Sequence, residues 1–355
     1  MAARKKRRRK GYVRKIIISF LTISIAGICF ISYRFYLYVY QPNVVTGNRE
    51  TAYFYIHTGF DGHNVVNSLY QHNFIRNRNS FEWMMRRKNY FNHVHPGRYL
   101  LKAGMNNNEL INLLRSGKQQ PLRIVLRNLL YKEELAGKIS RLLEADSTEL
   151  INLLNDKDYV AKYGFNTENI MTMFIPDSYE FMWNTSSTEF FRRILKEYKR
   201  FWNKKRKQKA IRLNYSQQEI SILAGIVQKE TNVDEEMPVV AGVYLNRLRK
   251  GMLLQADPTV VFAVGDFNIR RVLNFHKEID SPYNTYKYKG LPPGPICMAS
   301  KKAIDAVLNP QEHQYLYFCA KEDFSGHHNF AKTYAQHLIN AHKYQAALNR
   351  KRIFK

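Results

Sequence analysis

Between Lys15 and Arg34 the chain runs eighteen residues, Ile16 to Tyr33, without a formal charge. The stretch reads IIISFLTISIAGICFISY, and only serines, one threonine and one glycine interrupt its apolar residues. At helical rise it reaches roughly 27 Å, near the hydrocarbon thickness of a bilayer. Arg4, Lys5, Lys6, Arg7, Arg8, Arg9, Lys10, Arg14 and Lys15 precede it, with no acid among them. A helix buried in a soluble core has no use for those flanking cations. A cleaved signal peptide is the competing reading. Its apolar region would be shorter, at about 7–15 residues, and small residues would follow. Here Phe35, Tyr36, Leu37, Tyr38, Val39 and Tyr40 follow instead, a pattern that suits an interfacial aromatic belt with Arg34 snorkelling. The expectation is a retained anchor. The positive-inside rule then places the N-terminus in the cytoplasm and everything beyond about residue 40 outside.

The anchor divides the charge. Fifty-six Lys and Arg against 29 Asp and Glu give +27 over 355 residues, and the tail accounts for +9 of it. The remaining +18 asks for an anionic partner. An apolar content of 45% excludes a disordered chain, and three cysteines exclude a disulfide framework or a Cys-rich zinc site. No nucleic-acid-binding motif organises the aromatic residues, so nucleic acid is not an expected partner.

The expected organisation is α+β: a basic cytoplasmic tail over 1–15, a transmembrane anchor over 16–40, a linker over 41–50, a small module over 51–120 and a larger domain over 121–355. In the module, TAYFYIHTG is strand-like. Asp61 caps a helix carrying Val65, Val66 and Leu69. Phe81, Trp83 and Met84 start another, Pro96-Gly97 turns into the strand Arg98–Leu101, and Asn108 caps a last helix. Beyond it, LRIVL at 122–126 is a strand and helices follow at about 132–144 and 147–155. Phe174–Tyr179 is a turn, and 188–213 is one very basic helix whose run of Lys and Arg reads as a solvated face. The string ELINLL occurs at 109–114 and 149–154, but its flanks differ and no repeat is inferred.

Ser216-Gln217-Gln218-Glu219 is a capping box that starts a helix with an apolar face of Ile220, Leu223, Ile226 and Val227. It ends near Thr231, and a second helix starts at Asp234 and ends at Gly251. Glu230 falls in the last turn of the first. A carboxylate there meets the negative helix end and apolar surroundings, and both raise its pKa, as a general acid working near neutral pH requires. Taken alone, a Glu at a helix end is usually a solvated surface residue. Three further segments add weight. QADPT at 255–259 places Gln255 and Asp257 in an irregular stretch. SPYNTYKYKGLPPGPI at 281–296 is a Pro-stiffened loop whose Asn and Tyr suit a cleft wall for a polar polymer. Tyr315–Phe318 is a strand, and Gly326–Phe330 a polar loop before the C-terminal helix. His327 and His328 lack a metal-ligand spacing and are expected as ordinary loop histidines, so no metal and no cofactor is expected.

IVQKETNVDEE, GVYLNRLRKGMLLQADPTV, SPYNTYKYKGLPPGPI, YLYF and HNFAKTYAQH, in this order across residues 216–337, resemble the endolytic murein transglycosylase family, also called YceG-like or MltG. PGRYLLKAGMNNNELINLLRSG resembles that family's LysM-like subdomain. The resemblance implies a bacterial inner-membrane lytic transglycosylase with a periplasmic YceG-like catalytic domain. Such an enzyme cuts nascent peptidoglycan strands internally, in the neighbourhood of penicillin-binding-protein synthases. It implies Glu230 as the catalytic residue, with substrate contacts from Gln255, Asp257, Asn284, Tyr286 and His328. Gln228 stands where the family often has a second Glu. One carboxyl suffices for the lytic reaction, because the C6 hydroxyl of MurNAc replaces water as nucleophile. A hydrolase would usually need two. The acids at Asp234, Glu235 and Glu236 read as charge complementing a helix N-terminus. Cys297 and Cys319 lie in the catalytic region, and sequence leaves their separation open. A non-catalytic, membrane-anchored glycan-binding protein is the alternative.

Overall fold

The computed structural model describes residues 2–269 and 271–351, with side chains from Val13 onward. Most of the basic tail's side chains, Arg270 and residues 352–355 therefore lie outside the description. The chain forms two compact units, one up to Leu122 with Met182–Asn184, the other comprising the rest.

The first unit opens with helix α1 (Ala2–Tyr40), whose Val13–Tyr40 portion is long and apolar enough to cross a membrane. Ile16, Phe20, Ile23, Ile28 and Phe30 are all exposed along it. β1 (Thr51–Ile56), α2 (Gly62–Gln71), α3 (Arg78–Arg87), β2 (Gly97–Lys102) and α4 (Asn107–Arg115) follow, in the strand–helix–helix–strand–helix order expected. β1 and β2 pair antiparallel from Thr51↔Lys102 to Ile56↔Gly97. Asp61 caps α2 in a capping box with Asn64. α4 is capped by Asn106, with Glu109 completing the box, and not by Asn108. The box needs its partner three residues on, and only Asn106 has one.

Residues 41–50 are an ordered connection, not the expected linker. Val44 is buried in one core with Val39, Phe54, Leu69, Phe81 and Leu110. The Asn43 amide donates to the Asn77 carbonyl and to Asn107 Oδ1 (2.6 Å), and its own Oδ1 accepts from the backbones of Arg76 and Asn77. Trp183, in the segment that returns to this unit, packs edge-on against Tyr55 and His57.

β3 (Leu122–Leu126), all but its first residue in the second unit, is followed by α5 (Lys132–Leu142), α6 (Ser147–Asn155) and the short α7 (Lys157–Ala161). β4 (Asp177–Phe181) pairs with β3, so the expected turn at 174–179 ends in a strand. The expected single helix over 188–213 is two, α8 (Ser187–Phe201) and α9 (Lys204–Leu213). Trp202 is buried at the break and Asn203 caps the restart, so a core side chain and a cap together outweigh continuous helix propensity. α10 (Gln217–Glu230) carries the expected Ser216–Glu219 capping box. α11 (Met237–Arg249) starts three residues later than expected, with Pro238 in its first turn. Its Gly242 is required, because a Cβ there would stand 2.6 Å from His313 Nε2 and 2.7 Å from the Gln311 carbonyl.

α12 (Asp257–Val264) corrects the irregular reading of QADPT: Pro258 at the helix start stabilises the first turn instead of breaking it. α13 (Lys301–Leu308), β5 (Tyr317–Ala320), β6 (His328–Ala331) and α14 (Tyr334–Arg350) complete the unit. β5 and β6 pair antiparallel, Tyr317↔Ala331 to Ala320↔His328. The expected polar loop at 326–330 is therefore half strand, drawn in by the ladder with β5. Cys297 is a buried free thiol and Cys319 is also free.

Candidate active site

Glu230 is the last residue of α10, and the chain leaves the helix at Thr231. The helix is buried through Ile226 and Val227, and its end emerges from that core at the wall of a cavity. The neighbouring positions turn elsewhere. Gln228 accepts from the Ser300 backbone N–H at the start of α13 (2.7 Å) and donates to the Met298 carbonyl (3.3 Å). A carboxylate could make the first of these bonds but not the second. Lys229 is exposed. Glu230 is thus the one acid of this turn that reaches the cavity.

That cavity, of about 510 Å³, is lined by Glu230, Tyr244, Arg247, Gln255, Asp257 and Tyr286, and further by Tyr317, His328 and His337. Glu230 and His337, 107 positions apart in sequence, line this one cavity, and α11 and α12 both pack against α10. Tyr244, on α11, donates from its hydroxyl to Glu230 Oε1 at 2.6 Å. Burial pushes the Glu230 carboxyl up to about 7; the Tyr244 hydrogen bond opposes the rise and the Asp257 charge adds to it. Burial, then Glu230 itself, holds the Tyr244 phenol far above its ordinary range, so it stays a donor. With Oε1 accepting, the proton of the neutral acid resides on Oε2.

Asp257 sits in the first turn of α12, where the helix end favours an anion, and accepts from the Tyr286 hydroxyl at 2.5 Å. Lys277 Nζ lies 4.6 Å from the centre of the Tyr286 ring. Gln255 has a left-handed backbone, φ +54°, unusual for a residue with a side chain. Its N–H donates to the Thr285 carbonyl (3.1 Å), and its side-chain oxygen accepts from Arg247. Arg247 is buried one helical turn beyond Tyr244 and also donates to the carbonyls of Leu253 (2.8 Å) and Leu316 (2.9 Å). It ties the 253–255 segment and the β5 entrance to α11.

Asn284 does not line the cavity. It is fully buried, donates to the carbonyls of Lys277 and Ile279 (both 2.8 Å) and accepts from the Tyr286 N–H (3.0 Å). Its place is under the loop, where it sets the position of Tyr286. Thr285 does similar work with Ala256 and Thr259.

His328 lies at the start of β6 and lines the cavity. Its Nδ1 is 2.8 Å from Glu236 Oε2, and its backbone N–H donates to Glu236 Oε1 (2.8 Å). His327 Nδ1 adds a third contact to Oε1 (3.2 Å). Burial pushes the Glu236 carboxyl up, but the hydrogen bonds from His328 and His327 outweigh it and hold the group below its ordinary value. Glu236 is therefore more than a helix-dipole charge: it is a buried anion that fastens β6 to the start of α11.

Reading the sequence alone misses Tyr244, Arg247, Tyr317 and His337. Tyr244 counts there as one of the apolar residues of its helix. The available signal is the three-residue spacing that puts it on one face with Arg247. His337, on α14, stacks on Tyr317 with ring centres 5.4 Å apart. Burial and then Arg247 hold its imidazole below the ordinary pKa.

Residues 54–343 match the YceG-like family. A stretch of 129 residues is 43% identical to the endolytic murein transglycosylase of Bacillus subtilis, and 111 residues are 35% identical to that of Streptococcus pneumoniae. These stretches cover 36% and 30% of this chain, and 35% and 20% of those relatives. The chain thus spans about a third or less of the length of the curated relatives it matches. A crystal structure of a putative yceG-like protein from Listeria monocytogenes superposes with a TM-score of 0.53 at 26% identity, covering 82% of this chain and 98% of that one. With the family matched over most of its length, this chain belongs to the YceG-like family.

Proposed function

We propose that this protein is a membrane-anchored lytic transglycosylase of peptidoglycan, with Glu230 as its single acid–base residue. The observation that carries the reading is a neutral-range carboxyl at the end of a buried helix, facing a cavity, with one oxygen held by Tyr244. The relatives' names supply the reaction class. The neutral acid gives its Oε2 proton to the glycosidic oxygen between MurNAc and GlcNAc, and that bond breaks. The resulting carboxylate takes the proton of the MurNAc C6 hydroxyl, whose oxygen closes on C1 as a 1,6-anhydro ring. The proton returns to Glu230, and no water is consumed. Asp257 is tied to Tyr286, and Glu236 to two histidines, so neither is offered as a second catalytic carboxyl. Gln255, Asp257, Tyr286 and His328 contact the glycan, and Asn284 acts beneath Tyr286.

In this reading α1 spans the inner membrane with the N-terminus in the cytoplasm, and both units face the cell wall. The small unit is the LysM-like module and the larger the catalytic domain. Cleavage within nascent strands ends their elongation beside penicillin-binding-protein synthases. The test is mass analysis of products from purified peptidoglycan. Wild-type protein releases anhydro-MurNAc ends, and Glu230→Gln lowers their release by at least a thousandfold with an unchanged fold. Reducing ends in place of anhydro ends, or full activity in the variant, would overturn the reading.

A further inference from the structure

α1 does not end with its uncharged run at Tyr33 but continues to Tyr40. Its last turn is built into the core of the small unit. Val39 is 5% exposed within that core, and the Tyr38 carbonyl, which has no intrahelical partner, accepts from the Asn107 side chain at 2.7 Å. Asn107 is itself held by Asn43 and Ser80. The unit is therefore fixed in height and rotation against the helix that carries it.

This fixed seat brings α3 beside the end of the apolar run. Trp83 packs edge-on against Phe35 (5.9 Å between ring centres) and Tyr38 (5.7 Å), within about one turn and a half of Tyr33. The Arg87 guanidinium lies over the Trp83 ring at 5.3 Å, and that of Arg34 lies over Tyr38 at 5.4 Å. Arg34, Arg86 and Arg87 are exposed. The nearby acid Glu82 is already paired with Arg78 (2.7 Å), so it does not neutralise them. Half-buried aromatic rings beneath exposed guanidinium groups, at the depth where hydrocarbon gives way to water, match the layering of a bilayer interface.

We infer that Trp83, Arg34, Arg86 and Arg87 form a collar that seats the small unit on the outer surface of the membrane by binding the phosphates of anionic phospholipids. The occupant follows from continuity with α1, which leads the bilayer to this surface, and from the positive charge. The inference rests on α1 spanning a membrane.

The full chain is reconstituted into vesicles of phosphatidylcholine alone or with phosphatidylglycerol, each with and without lipids brominated near the headgroup end of their chains. Flotation reports anchoring, and bromine quenching of tryptophan reports depth. The chain has three tryptophans, so the quenchable emission lost in Trp83→Phe belongs to Trp83. The expected result is Trp83-dependent quenching that is stronger with phosphatidylglycerol. In the surface variant R86E/R87E, which leaves the core untouched, that quenching falls by about half. Chains that float without Trp83-dependent quenching would overturn the collar and leave the anchor standing. Quenching indifferent to phosphatidylglycerol and to R86E/R87E would overturn headgroup recognition. Chains that fail to float would overturn the anchor and the collar with it.

Discussion

Glu230 and Glu236 stand six residues apart, on either side of the junction between α10 and α11, and they have opposite fates. Glu230 receives one hydrogen bond, from Tyr244, and faces a cavity; its carboxyl is pushed up to about 7. Glu236 receives contacts from His328 twice and from His327, and is held below the ordinary range. Burial acts upward on both. The number of donors decides the outcome: a lone donor does not replace a carboxylate's lost hydration, whereas several do. One acid is left able to carry a proton near neutral pH, and the other, held below its ordinary pKa, is an anion there and holds structure together.

The strongest break of this contrast is at Glu236. Glu236→Ala leaves the His328 N–H and ring without an acceptor in a buried place. It is expected to cost about 3 kcal/mol in urea unfolding. Glu236→Gln costs less, about 1–2 kcal/mol, because the amide oxygen still accepts. The cost of Glu236→Gln belongs to pH values above the ordinary carboxyl pKa. It fades as acid protonates the wild-type group through its lowered native pKa. A cost that stays constant from pH 7 down to pH 3 would show that Glu236 is not acting as an anion.

Glu230 has the opposite sign. Its native pKa of about 7 lies above the unfolded value, so the native state holds the extra proton between about pH 4.5 and 7. Stability therefore falls as pH rises through that window. Glu230→Gln removes the titration. It is expected to raise stability at pH 8 by about 2 kcal/mol relative to wild type, with the gain absent at pH 4. Thermal or urea unfolding at the two pH values measures it. Equal stability at pH 8 would mean that burial does not strain the ionised group.

The smallest effect separates the two ends by their donors. Tyr244→Phe removes the one group that lowers the Glu230 pKa. The alkaline limb of the pH–activity profile is then expected to move upward, with maximal activity lowered about tenfold or less. A profile that keeps its shape while its height drops would reduce Tyr244 to a packing residue.

Much of the fold follows from local rules that act over three or four residues. The Asp61 cap, the Ser216–Glu219 box and the LRIVL strand stand where the sequence puts them. The misplaced boundaries are those where something distant intervenes. Trp202 enters the core and divides a basic helix, β5 draws His328 into a ladder, and Pro258 starts a helix in a segment that looks irregular. The linker at 41–50 looks polar and short, and nothing local says that Asn43 will be gripped from residues 77 and 107.

By itself the sequence determined the anchor-length apolar run, the placing of Glu230 at a helix end and the family pattern around it, because each depends on spacing along the chain. Only the tertiary structure decided that Tyr244 meets Glu230, that Gln228 turns away to Ser300, that Asn284 lies under the loop and that Glu236 is tied to two histidines. These are matters of which donors reach which carboxyl through a buried interior. A carboxyl's acidity depends on that count and on lost water, and neither is written in neighbouring residues.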